Sequence, residues 1–311
     1  MPEREPPLHY SHLGLSLELP FAARRLRAPH STQREADVRV RLASLPPELQ
    51  IGLSTVRHVR DNHGFLFDAP DIGRFWVPDA RSVVIEAHPG ASESDLELVL
   101  FSEALASLLW QRREVPLHAN AVSINGRGLL ITGPSGAGKS ALCAQLVARG
   151  GRLIADDFCR TVPEPSPNAW HLPPGGQTLM LWQDQLSTLP NATATKLRPG
   201  LDKYAAALDH SQLVDSTTAL AGIVVLAESR DTLEIERLDS KSAFNALHEL
   251  IFRPDYARTQ DERTRHFSLL AELALAIPVL RITRPGNADT GPQTAEAALR
   301  FLDSTGYRPR G

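Results

Sequence analysis

Eight consecutive residues constrain this chain more than any others: Gly133, Pro134, Ser135, Gly136, Ala137, Gly138, Lys139 and Ser140 spell G-x-x-x-x-G-K-S. Glycines let successive backbone N–H groups turn toward one point with no Cβ in the way, and such a nest accepts an anion. A helix that starts at Lys139 and continues through Ala141 aims its positive end at the same anion. The Lys139 ammonium then reaches the β- and γ-phosphates of a nucleotide, and the Ser140 hydroxyl enters the shell of a magnesium ion. The run therefore predicts an ATP site with Mg2+ as cofactor. Its context fits, because an apolar strand-like stretch over 127–132 precedes it and a helical stretch over 140–149 follows, ending at Gly150 and Gly151.

The second feature is Asp156 and Asp157, which close a short apolar run 17 residues beyond Lys139. That spacing holds one short helix, a stop and one strand. In a right-handed β-α-β unit both strands end on the same sheet edge, which puts the two carboxylates beside the loop. One carboxylate can hold the metal while the other takes a proton from an attacking hydroxyl. Two solvated acids in a strand-end turn are the plain alternative.

Upstream, Asn125 and Gly126 separate two strand-like runs, 118–124 and 127–132. The dipeptide suits a two-residue hairpin turn, where both positions need positive φ. In that register Ile124 faces Arg127, and His118 falls opposite Gly133. There His118 either meets a phosphate or an acid, or makes a structural hydrogen bond at a strand start.

The first ~90 residues alternate short apolar runs with turns, giving strands near 13–19, 37–42, 64–67, 74–77 and 82–86. Basic patches there, at Arg24, Arg25 and Arg27 and at Arg57, His58 and Arg60, read as solvated faces. A helix follows over 92–113, opened by a capping box of Ser92 and Asp95. The expected organisation is a β-rich N-terminal domain at 1–91, a connecting helix at 92–115 and an α/β kinase domain at 116–311. Within the last, residues 161–176 are rich in Pro and Gly and read as a long irregular loop. Further strands are expected near 222–227, 233–237 and 279–283, with helices near 240–252, 261–276 and 294–302.

A formal net charge of −3 offers no long-range pull on nucleic acid or anionic lipid, so neither is an expected partner. Two cysteines, Cys143 and Cys159, are too few for a disulfide scaffold and lie in apolar segments, as buried thiols of a reducing compartment do. The first residues carry Pro and Glu where a secretory signal needs an apolar run. The apolar stretch 269–280 is broken by Glu272 and Pro278 and falls short of the ~20 residues of a membrane span. A cytoplasmic protein is expected.

Leu117, His118, Ala119, Asn120, Ala121 and Val122, then Asn125 and Gly126, then the run 128–140, then the run 149–157 ending in the acidic pair, together resemble the catalytic core of bacterial HPr kinase/phosphorylase. The close resemblance covers about 117–160. More widely, with residues 108–113 and 175–182, the chain is similar to HPr-kinase-related serine kinases of bacterial gene clusters, some of which modify ribosomally made peptides. The resemblance implies a P-loop kinase core of the HPr kinase/phosphoenolpyruvate carboxykinase type behind a small β-rich domain. It implies Asp157 as general base on a serine hydroxyl, Asp156 and Ser140 at the metal, Lys139 on ATP and His118 lining the site. It also implies a homo-oligomer. The family's downstream Leu-Glu-x-Arg-Gly-x-Gly segment is absent here, so the phosphate-driven reverse reaction and HPr as substrate stay outside the expectation.

Lys196, Arg198 and Lys203 form a local basic cluster that either neutralises transferring charge or belongs to a solvated loop. Arg253 is a further phosphate or substrate candidate, and Trp170, Trp182 and Tyr204 either grip a peptide or fill the core. The function expected is an ATP-dependent kinase acting on a serine of a peptide or small protein. A small-metabolite kinase or carboxykinase-like enzyme and a non-catalytic ATP-binding regulator are the alternatives.

Overall fold

The structure, a computed structural model, describes residues 6–30, 35–49, 58–61 (backbone alone), 64–114, 116–164, 169–198, 200–229, 232–257, 259–285 and 290–306. The chain forms two compact units, Met1–Glu114 with Arg253–Arg258 and Val115–Phe252 with Thr259–Gly311. Arg57, and the side chains of His58 and Arg60, lie outside the described residues.

In the first unit, the described residues form seven strands: β1 (Leu8–His12), β2 (Leu15–Leu19), β3 (Val38–Leu42), β4 (His58–Asp61), β5 (Gly64–Ala69), β6 (Gly73–Asp79) and β7 (Ser82–Ala87). They make one sheet in the order β1-β2-β3-β7-β6-β5-β4. Along β2, Leu15, Leu17 and Leu19 are buried while Ser16 and Glu18 are half-buried, the period-two signature of a sheet with one core face. β1 is additional to the strands expected from sequence; it pairs with β2 across a tight turn at Leu13 and Gly14.

The long helix is present as α1 (Glu93–Val99) and α2 (Leu105–Gln111), joined without a break by a π turn at Leu100–Ala104. Ser92 and Asp95 form the expected capping box. This helix is part of the first unit. Gln111 donates to the Val77 carbonyl at 3.0 Å, and Arg112 donates to those of Ala80 at 2.9 Å and Asp37 at 2.7 Å. The later segment around Tyr256 belongs here too: its ring packs on Phe65 and Phe67, and its hydroxyl donates to Glu103 at 2.7 Å.

The second unit is built on an eight-stranded sheet. Its spine is β9 (Ala119–Ile124), β10 (Arg127–Thr132), β11 (Arg152–Ala155), β18 (Thr218–Ser229) and β20 (Val279–Pro285), numbered after a short β8 (Pro116–Leu117). The 125–126 turn takes φ of 51° and 76°, as the hairpin reading required, and the register begins at Arg127 opposite Ile124. β9 is antiparallel to both β10 and β11, and β18 runs parallel to β10 and β20. So β10, β11, β18 and β20 all point the same way and end on one edge. Every residue of β9 is buried, the texture of a strand covered on both faces.

The helix α3 (Lys139–Ala148) lies against β9, β10 and β11, beside α6 (Gly291–Ser304). It stops where the Gly150 and Gly151 N–H groups fold back on the Val147 and Leu146 carbonyls, each at 3.0 Å. Leu142, Leu146 and Val147 join Leu129, Ile131, Val224 and Phe301 in one apolar core. Truncating a buried leucine here to alanine is expected to cost about 2–5 kcal/mol. The remaining helices are α4 (Ser240–His248) and α5 (Gln260–Ala276).

Residues 161–176 are not wholly irregular. After β12 (Cys159–Arg160), they contain β13 (Val162–Pro163) and β14 (Trp170–Leu172), and β14 pairs with β18. Pro163, which has no N–H to donate, is confined to the outermost strand, where a proline is tolerated. A second sheet, with no counterpart in the sequence reading, contains β15 (Thr178–Trp182), β16 (Thr193–Arg198) and β17 (Leu201–Ala207) in the order β15-β17-β16. β19 (Glu234–Arg237) pairs with β20. Lys196, Arg198 and Lys203 thus stand on paired strands, not on a loop. Among the described residues no helix is long and apolar enough to cross a membrane.

Candidate functional site

The 133–140 loop leaves β10 at the sheet edge and enters α3 at Lys139. Pro134, Ser135 and Gly136 form an exposed tip, whereas Gly133, Ala137 and Lys139 are buried. Gly138 is the helix N-cap at φ 89°, ψ 26°, a left-handed conformation that a side chain disfavours. Being glycine, it brings no side-chain acceptor to the first turn, so that turn keeps its anion-binding polarity.

Lys139 folds back over the loop, its Nζ donating to the Gly133 carbonyl at 2.9 Å and the Pro134 carbonyl at 3.0 Å. Burial pushes this ammonium below the ordinary lysine range. Asp157 and Asp156 oppose that shift, and the positive charge of Lys203 reinforces it. The acidic pair and Lys203 are therefore all within electrostatic reach of Lys139.

Asp156 sits just past β11 and accepts from donors on several elements. Asn120 Nδ2 donates to Oδ1 at 2.5 Å, the Ser140 hydroxyl to Oδ1 at 3.5 Å, and the Met180 N–H to Oδ2 at 2.6 Å. Asn120 Nδ2 also reaches Ser140 Oγ at 3.3 Å. A hydroxyl and a carboxylate side by side are hard oxygen ligands of the kind a divalent cation such as Mg2+ takes, with phosphate oxygens and water completing its shell. Among the described residues, no group of three or more His, Cys, Asp or Glu side chains could hold a metal alone.

Asp157 occupies the turn itself. Its φ is 72°, and the Phe158 N–H closes back on the Asp156 carbonyl at 3.0 Å, a three-residue turn with a positive-φ centre. Non-glycine residues hold such turns at a cost of about 1–3 kcal/mol and do so chiefly at functional sites. His118 lies one step beyond the Ala119–Thr132 pair, as the register implied, and its carbonyl accepts the Thr132 hydroxyl at 2.8 Å. Its ring stacks on Phe252 at 5.7 Å, and Phe252 in turn stacks on Phe158 at 6.0 Å. The His118 ring is thus tied by stacking to the residue that follows Asp157.

Lys203 faces Trp182 across the β15–β17 ladder, its Nζ 6.0 Å from the indole centroid. Lys196 is paired with Asp202 at 2.8 Å, and Arg198 ends β16 opposite Leu201. Arg253 belongs to the first unit, where its guanidinium grips Glu103 through two donors, Nε at 2.9 Å. Cys143 and Cys159 are fully buried, and burial raises both thiols well above their usual range, so they are packing residues. Trp170 is likewise buried, whereas Trp182 is exposed.

Three contributors escaped the sequence reading. Asn120 had a signal, a lone amide inside an apolar strand, in register with Ile131 one pair from the strand end. The Met180 N–H and Arg284 had none. Arg284, on β20, donates to the Ala137 carbonyl through Nε at 3.2 Å and through a terminal nitrogen at 2.7 Å.

Residues 111–165 match the family described as HPr Serine kinase C-terminal domain. The HPr kinase/phosphorylase of Azoarcus sp. (strain BH72) is 42% identical over 79 residues, 24% of this chain and 23% of that protein. That of Lacticaseibacillus casei (strain BL23) is 53% identical over 58 residues, 19% and 18% of the two chains. The chain thus matches about a fifth of the length of these curated relatives. The solved HPr(Ser) kinase/phosphatase from Coxiella burnetii aligns over 61% of this chain and 96% of that one, at 17% identity and a TM-score of 0.31. The matched segment holds the glycine-rich loop, Asn120 and the acidic pair, and over that segment the chain is similar to the HPr kinases.

Proposed function

We propose that this chain transfers the γ-phosphate of ATP to a serine hydroxyl of a peptide or small protein. The observation that carries the reading is the meeting of Ser140 and Asp156 at one point beside Lys139, with Asp157 next in the chain. The loop amides and the positive end of α3 hold the β- and γ-phosphates. Lys139 turns from the loop carbonyls to those phosphates. Ser140 and Asp156 would hold Mg2+, which when bound would neutralise phosphate charge.

Asp157 accepts the serine proton as the serine oxygen bonds to the γ-phosphorus. The bond from that phosphorus to the β-bridging oxygen breaks, and ADP leaves with the electron pair. Lys203 adds positive charge near the transferring group. Self-association into a homo-oligomer is part of the same reading, checked by light scattering.

The test is incubation with γ-labelled ATP, Mg2+ and a panel of serine peptides and small proteins, HPr among them. Label in phosphoserine supports the proposal. Label confined to a small metabolite moves the activity to a metabolite kinase. ATP uptake with no transfer to any acceptor favours a regulator, and no uptake of Mg-ATP ends the nucleotide reading.

A further inference from the structure

We infer that Arg284 is a positioning residue of the phosphate-binding loop: it fixes the peptide plane between Ala137 and Gly138 and so aims the Gly138 N–H at the phosphates. The inference rests on the ATP reading above and adds a residue that the 111–165 match does not contain.

The geometry is specific. Arg284 stands at the end of β20, 147 residues from Ala137, and its guanidinium places two donors on the single Ala137 carbonyl oxygen, at 2.7 and 3.2 Å. The peptide unit is planar and trans, so its C=O and the N–H of the next residue point in opposite directions. A carbonyl pinned on Arg284 therefore leaves the Gly138 N–H facing away from Arg284. Gly138 is the N-cap of α3, where an inward N–H belongs to the anion nest. A cation on the carbonyl also polarises the amide, which strengthens that N–H as a donor.

The packing agrees with this role. A Cβ built on Gly138 would run into the Arg284 guanidinium. Glycine suits this position for its left-handed φ of 89°, and a side chain here would displace the guanidinium of Arg284. The planar fork suits the task better than an ammonium, because two parallel donors fix a direction where a point charge does not.

The experiment measures ATP affinity by calorimetry and thermal protection by inorganic tripolyphosphate, which isolates phosphate recognition from the nucleoside. Wild type, R284A and R284K are compared, and the Tm of each unliganded protein is recorded. We expect R284A to bind ATP ~10–100-fold more weakly and to lose most of the tripolyphosphate protection. We expect R284K, which keeps the charge but not the fork, to fall between. In turnover, KM for ATP rises while kcat stays within about threefold, a split that general destabilisation does not produce.

If R284A does not fold, R284K alone decides by the same two readouts. ATP affinity in R284A, or in R284K as the deciding variant, equal to wild type overturns the inference and leaves the kinase proposal standing. So does a fall in kcat and unliganded Tm with KM unchanged. No ATP uptake by the wild-type chain sinks the nucleotide reading and the inference together.

Discussion

Asn120 Nδ2 lies 2.5 Å from Asp156 Oδ1 across 36 residues of chain, and the same nitrogen reaches Ser140 at 3.3 Å. One buried amide thus sets the spacing of the hydroxyl and the carboxylate proposed to hold the metal. Asn120→Leu keeps the volume and removes the donor. The expected result is a ~10–100-fold higher Mg2+ requirement, the usual cost of losing an outer-sphere partner. A stability loss of about 1–3 kcal/mol accompanies it. Initial rates against Mg2+ at saturating ATP, with Tm alongside, check this; an unchanged Mg2+ curve refutes it.

Asp157 is the residue proposed to take the serine proton. Asp157→Asn keeps the turn, because asparagine tolerates the positive φ of 72°, and removes the base. Transfer should fall by ~10²–10⁴ while ATP affinity stays within a few-fold of wild type. Single-turnover transfer and calorimetry on the same preparation separate the two. A variant that still transfers at the wild-type rate takes Asp157 out of the chemistry.

Lys203 shares the field of Lys139, and its charge helps to depress the Lys139 ammonium. Lys203→Met should lower kcat about tenfold if it helps to neutralise the transferring group. It should also raise the Lys139 pKa, which moves the alkaline limb of the pH–rate profile upward. A rate and profile identical to wild type would place Lys203 among the strand surface residues.

His266 is buried on α5, and desolvation lowers its imidazole to about 4 from an ordinary 6.5. Folded protein therefore keeps this group neutral where the unfolded chain protonates it. Stability is full above about pH 6.5 and is lost as pH falls toward about 4, because the unfolded state binds the extra proton. Tm measured at pH 7, 6 and 5 should fall more steeply for wild type than for His266→Gln. Parallel Tm curves would show that His266 does not set the acid limb.

The relation between sequence and site follows from the range of each interaction. The glycine-rich loop, the start of α3 at Lys139, the Asn125–Gly126 turn and the stop at Gly150 were all legible, because each depends on a few adjacent residues and their φ. The hairpin register followed from the turn, and counting it outward put His118 one step beyond the Ala119–Thr132 pair, toward Gly133. The common edge for Gly133 and Asp156 followed from a strand, a helix and a strand in succession.

The second sheet was not legible. Its polar β16 carries no apolar alternation and takes its form from pairing with β17. Arg253 sounded like a phosphate ligand and is instead gripped by Glu103, 150 residues away. Sequence by itself determined the glycine-rich loop, its flanking strand and helix, and the acidic pair. Only the tertiary structure decided which partners hold them, Asn120 and the Met180 N–H on Asp156 and Arg284 on Ala137. Those contacts depend on the order in which distant strands join one sheet, and no local propensity encodes that order.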